Sequence, residues 1–171
     1  MKLFLRKTQQ ELESTFKVSF NRDTLWENPN EDHLYSTGSL YPIITNERPV
    51  SLQLVPWGFP IYLDENQTIL KTITEVGIES ILEKPMFECI HRRRCLIPFE
   101  TKESQTLHYG AGIWDTYSRG RRSVAKKRFT LLTTKSDISS GRTPFVLEGK
   151  AYKLWLSEGD ISTAELSSLF E

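Results

Sequence analysis

Four consecutive residues, His91-Arg92-Arg93-Arg94, place ligand-type side chains directly ahead of the apolar stretch Cys95-Leu96-Ile97. On an extended backbone alternate side chains share a face, so two of the three guanidiniums can point the same way. Each can fork onto a phosphate through paired N–H donors. A second basic cluster, Arg119, Arg121, Arg122, Lys126, Lys127 and Arg128, surrounds Ser118 and Gly120 and reads as the loop of a hairpin. It is either a phosphate-binding arm or a solvated insertion. Cys89 and His91 are close enough in sequence for a thiolate pair, but their neighbours are basic or apolar, which favours a structural role. Trp57, Trp114 and Trp155 sit in strand-like surroundings and read as core.

Several chemistries have no carrier. The sequence has neither a glycine-rich nucleotide loop nor a His-Glu-x-x-His zinc helix. Cys89 and Cys95 match no zinc spacing, and His33, His91 and His108 are far apart. No metal and no cofactor is therefore expected.

Charge locates the basic face more narrowly. The 171 residues hold 22 Lys/Arg and 22 Asp/Glu, so the whole molecule is not drawn to polyanions in bulk. Residues 91–130 carry 10 Lys/Arg against 3 Asp/Glu, whereas residues 1–90 carry 8 against 13. A basic middle between acidic flanks can form a phosphate-gripping patch. No apolar run reaches a signal-peptide core or a membrane span, and two cysteines make no disulfide framework. A cytoplasmic protein with no membrane partner is expected.

The elements that must position these groups are short. Thr8 and Glu11 have capping-box spacing, which predicts a helix over 8–17; Ser162 and Glu165 repeat it near the C-terminus. Strands are expected over 39–45, 51–57, 68–74, 108–114 and 129–134, with turns at 46–49 and 64–66 and a surface loop over 21–37. Residues 77–90 read as helical, broken or restarted at Pro85. A short strand over 95–97 should end at Pro98, and Gly110 and Gly112 suggest close approach of another backbone. Residues 1–171 therefore read as one α+β domain, with a curved, barrel-like, mainly antiparallel β-sheet and a few short helices.

Several segments in order carry a resemblance. They are Pro42–Glu47, Leu54-Val-Pro-Trp57-Gly58-Phe59-Pro60, Glu83-Lys-Pro-Met-Phe87, Arg92-Arg-Arg-Cys-Leu-Ile-Pro98, Ala111-Gly-Ile-Trp-Asp115, Phe129–Thr134 and Arg142-Thr-Pro-Phe-Val-Leu147. Over about residues 8 to 170 the chain resembles the SOS-response-associated peptidase (SRAP) family, in a divergent and shortened form. The resemblance implies a curved β-domain that holds single-stranded DNA. It also implies a cysteine after the initiator methionine that traps the aldehyde of an abasic site as a thiazolidine, assisted by an asparagine, a glutamate and a histidine.

The departures fall on that chemistry. Position 2 is Lys2, which has no thiol and is too large for ordinary methionine removal, so the chain should begin at Met1. The family's asparagine aligns with Glu75, its DNA-contacting arginine with Gly77 and its histidine with Ser140; Glu79 is kept. Glu100 replaces the family's missing glutamate if a deletion falls just before Phe99. The retained DNA-binding candidates are Arg92, Arg93, Arg94, Arg142, Trp57 and Tyr62, the last able to stack on a base.

Three readings follow. The first is a non-catalytic module that binds single-stranded or abasic-site DNA. The second is an enzyme using an amine, Lys2 or the Met1 α-amine, in a Schiff base, with Glu79 and Glu100 as candidate assistants. The third is a protein-interaction module, favoured if acids such as Glu75 and Glu79 line the groove.

Overall fold

Thr8 starts the first helix as its spacing to Glu11 predicts. Its hydroxyl accepts from the Glu11 N–H at 3.1 Å while the Glu11 carboxylate accepts from the Thr8 N–H at 2.7 Å. The structure is a computed structural model that describes residues 1–20, 34–63, 68–101, 103–118, 124–136 and 141–171. The expected loop tip around Asn28-Pro29-Asn30, the turn at 64–66, His33, Arg119, Gly120, Arg121, Arg122 and Ser140 lie outside the described residues.

Along the chain, β1 (Leu3–Phe4) leads to α1 (Gln9–Phe16), then to β2 (Ser19–Phe20) and β3 (Leu34–Tyr35). β4 (Leu40–Thr45) and β5 (Arg48–Pro56) form the first long hairpin, with Asn46 and Glu47 in its turn. β6 (Phe59–Tyr62) and β7 (Ile69–Ile73) form a separate two-stranded sheet. β8 (Glu75–Gly77) runs into α2 (Ile78–Ile81), and a 3-10 helix (Pro85–His91) begins at Pro85, as expected for a residue that breaks one helix and starts another. β9 (Arg94–Glu100), β10 (Leu107–Tyr117), β11 (Lys126–Lys135) and β12 (Arg142–Pro144) follow, then α3 (Ala151–Trp155) and α4 (Thr163–Phe170). The Ser162–Glu165 capping box opens α4.

The main sheet runs β12-β11-β10-β9-β4-β5-β2. It is mixed α+β and mostly antiparallel; β2 on β5 and β8 on β11 are the parallel pairs. The sheet curls strongly but does not close into a ladder-bonded barrel. β4 and β11 are separated by β9 and β10, yet the Tyr41 and Phe129 rings lie 6.1 Å apart. Trp57 and Phe129 meet through a single parallel bridge, and the Gly58 N–H donates to Phe129 O at 2.7 Å. Helices cover the sheet on its other side, so all seven residues of β9 are buried.

Two strand details depart from expectation or sharpen it. β9 does not stop at Pro98 but runs through it to Glu100. β4 and β9 pair only at Ile44–Leu96 and Thr45–Cys95. Two positions further in that register Pro42 would stand against Pro98, neither with an N–H to give, and the Tyr41 hydroxyl donates to Pro98 O instead. Gly112 is needed where it stands: a Cβ there would lie 2.4 Å from Ile97 Cδ1 and 2.9 Å from Thr130 O. Among the described residues, no helix is long and apolar enough to cross a membrane.

Candidate functional site

Most of the sequence-predicted site residues lie toward one or the other end of β11, whereas Trp57, Lys2 and Glu100 lie elsewhere. At one end, β10 and β11 form an arm in which Asp115 faces Arg128 and Tyr117 faces Lys126. Alternation sets these four side chains on one face. β6 packs beside the arm, with Phe59 and Tyr117 ring centroids 5.3 Å apart. Burial pushes the Tyr117 hydroxyl well above its usual range; Cys89 and Tyr62 add to the rise, and Arg128 and Arg93 oppose it. Tyr62, Tyr117, Cys89, Arg93 and Arg128, from five separate elements or turns, therefore share one electrostatic neighbourhood.

Three cations around the arm, Arg93, Lys127 and Arg92, are already engaged. Arg93 donates from Nη1 to the Asp115 carboxylate and lies over the Trp114 ring, 5.4 Å from its centroid. Lys127 covers the same ring at 4.0 Å and donates to Glu47 at 2.7 Å, a bond that holds the Glu47 carboxyl below the usual range. Arg92 pairs with Asp160 at 3.1 Å. Glu88, Cys89, His91, Arg92, Arg93 and Asp160 line a cleft of 500 Å³. Burial raises the Cys89 thiol to about 11, so it is not a thiolate near neutral pH.

Two expected DNA contacts are corrected. Arg94 is fully buried and cannot reach a phosphate. Its guanidinium donates to five backbone carbonyls, those of Trp155 (2.8 Å), Ile90 (3.3 Å), His91, Ser157 (2.8 Å) and Gly159 (3.0 Å). These oxygens cluster at the end of the 3-10 helix and just after α3, where carbonyls lack helical partners, so a cation is stabilising there. Trp57 is also fully buried. Its indole N–H donates to Thr74 O at 2.7 Å and its ring stacks on Phe129, as its reading as core implies.

At the other end of β11 lie Glu75, Gly77, Glu79 and Arg142. Arg142 pairs with Lys135 in the ladder, nine residues along β11 from Lys126, about 30 Å at the usual strand rise. Its Nη2 donates to Glu79 at 2.6 Å and to Thr133 O at 2.9 Å, while Nε donates to the Thr133 hydroxyl at 2.7 Å. Burial pushes the Glu79 carboxyl up, but the Arg142 bond, backbone N–H groups and the Arg142 charge leave it below its usual range. A Cβ at Gly77 would lie 2.4 Å from Arg142 Nη2, so the guanidinium fills the place of the absent side chain. The acids here are thus neutralised by internal cations.

The Met1 α-amine lies 3.4 Å from Glu75 Oε2, a buried oxygen with no hydrogen-bond partner among the described residues. Lys2 is exposed. Glu100 is buried and accepts from the Arg6 N–H. Among the described residues, no group of three or more His, Cys, Asp or Glu is placed to hold a metal. The sequence reading missed Tyr117, Asp115, Asp160 and the Met1–Glu75 pair. Only Tyr117 and Asp115 had a sequence signal, through their alternation on the strand leading into the basic cluster.

No family model matches the chain, and no curated protein matches it. Solved structures do. A protein from Bacteroides thetaiotaomicron superposes with a TM-score of 0.77 at 20% identity, over 98% of this chain and 85% of that one. A protein from Bordetella bronchiseptica gives 0.67 at 16%, over 98% and 90%. A phage-related protein from the same organism gives 0.69 at 14%, over 98% and 86%. At these identities the likeness is one of fold.

Proposed function

We propose that this chain is a SRAP-like module that binds single-stranded nucleic acid without thiol chemistry. One observation carries the reading: Arg93, Arg128 and Tyr117, distant in sequence, meet around Asp115 on the β10–β11 arm beside exposed Arg92, with Tyr62 near enough to raise the Tyr117 hydroxyl. Aromatic rings among guanidiniums suit a strand whose bases stack while its phosphates pair. Arg142 lies at the far end of β11, paired with Glu79. The absence of a thiol at Lys2 removes the family's thiazolidine step. Fluorescence anisotropy with a single-stranded oligothymidylate tests the reading. Affinity should fall steeply with salt, and Tyr62→Ala should weaken it by about 1–3 kcal/mol, the worth of one base stack. A chain with no salt-dependent binding does not have this function.

A second reading is supported by the Met1 amine beside Glu75. The amine nitrogen attacks an abasic-site aldehyde carbon, Glu75 takes the released proton, and loss of water leaves an imine. Borohydride reduces the imine to a stable secondary amine, so a trapped adduct on abasic strands reports it, with intact mass fixing the N-terminal residue. Trapping that survives Lys2→Gln, a side chain also too large for methionine removal, takes Lys2 out of the step and leaves the α-amine; no adduct on abasic strands removes the reading.

A further inference from the structure

Both exposed guanidiniums of the 500 Å³ cleft are held by an aspartate from a different part of the chain. Arg92 pairs with Asp160, 68 residues away, and Arg93 with Asp115 on β10, 22 residues away. Asp115 is also the cross-strand partner of Arg128, and its carboxylate accepts from the Thr116 N–H at 2.7 Å, which fixes it against β10. Glu88 lines the same cleft but pairs with neither guanidinium. The acids are thus placed on the arginines rather than scattered around them.

We infer that Asp115 and Asp160 act as built-in phosphate surrogates, making this face selective for a strand of consecutive phosphates over isolated ones. The inference rests on the nucleic-acid reading above. A single phosphate must displace a carboxylate that already makes a charge-assisted bond, and so gains little. A polynucleotide that displaces the first aspartate holds its next phosphate at high local concentration over the second. The pairs are solvent-exposed enough to yield: the side chains of Arg92 and Asp160 are 75% and 61% exposed, and those of Arg93 and Asp115 are 41% and 28% exposed.

The test uses the whole chain, labelled oligothymidylate and a salt series, with Asp115→Asn, Asp160→Asn, the double variant and Glu88→Gln. Asparagine keeps an oxygen for the Thr116 N–H, and thermal melts verify that each variant is folded. Each aspartate substitution should tighten binding about two- to five-fold, the range of an exposed ion pair. The salt slope should steepen by about 0.7 per freed guanidinium. Glu88→Gln removes the same charge and should leave the slope unchanged. Inorganic phosphate should compete with the strand on the double variant and not on the wild-type chain. If the wild-type chain binds and the aspartate variants bind no tighter, the surrogate role is overturned while the nucleic-acid reading stands. The same holds if Glu88→Gln matches them, or if phosphate competes equally on both chains. If neither wild type nor variants bind the strand, both readings fall together.

Discussion

Removing the Arg94 guanidinium should be the most damaging single change in the β9 region. Five carbonyls converge on it, with no acid among its hydrogen-bond partners. Desolvation works against the charge, with some compensation from Asp160 and Glu165 at longer range, and the carbonyls supply the rest. Arg94→Ala leaves those oxygens facing a hole. His91 O keeps a bond from the Ile161 N–H, so the loss is smaller than five independent charged bonds would give. A cost of about 3–5 kcal/mol follows, typical of breaking a satisfied buried charge. For a domain of this size that lowers Tm by about 6–20 °C. Arg94→Met, which fills the volume without donors, should lose nearly as much, and Arg94→Lys should recover part through its three donors. Because the cage is shaped for a planar cation, low millimolar guanidinium should raise the Tm of Arg94→Ala and leave the wild type unmoved. Circular-dichroism melts read all four chains. A methionine variant as stable as wild type, or no rescue by guanidinium relative to urea, would refute the carbonyl-cage account.

Two further outcomes follow from the sheet and the Arg142 pair. Gly112→Ala should destabilise by about 1–3 kcal/mol, since a rigid carbonyl stands 2.9 Å from the new methyl. Gly110→Ala, whose nearest contact is 3.2 Å, should cost less; urea midpoints in the reverse order would contradict this packing. The folded-state pKa of Glu79 lies below its ordinary value, so its contribution is present above the unfolded pKa and is lost as pH falls through the folded one. The carboxylate is 39% exposed and therefore screened, so the effect should be a fraction of a kcal/mol between about pH 5 and 3. Glu79→Gln should flatten that part of the stability curve; an identical acid-side drop in both chains would remove the pair from the explanation.

Local signals were legible because their causes are local. The two capping boxes need only four consecutive residues each, and Pro85 acts on its own neighbours. The end of β9 was misplaced because Pro98 is tolerated by a partner: Pro42 has no N–H either, and Tyr41 reaches across to its carbonyl. Arg94 could not be told from Arg92 and Arg93 in sequence. On a strand covered on both faces, alternation no longer separates inside from outside. Glu75 and Glu79 were visible as acids, but their neutralising cations come from Met1 and Arg142. Asp115 and Asp160 were invisible as a pair of clamps, because each gains its role from a guanidinium on another element.

The two-pair ladder between β4 and β9 has a kinetic consequence. The β4–β5 hairpin and the β9–β10–β11 meander are each built from near neighbours in sequence. Their strand-to-strand ladder between β4 and β9 consists of Ile44–Leu96 and Thr45–Cys95, about fifty residues apart along the chain. Closing that span orders much of the chain before the Trp57–Phe129 contact on the opposite side rewards it. The two halves can therefore zip quickly by themselves, and the encounter that seats Ile44 against Leu96 sets the pace for the whole molecule.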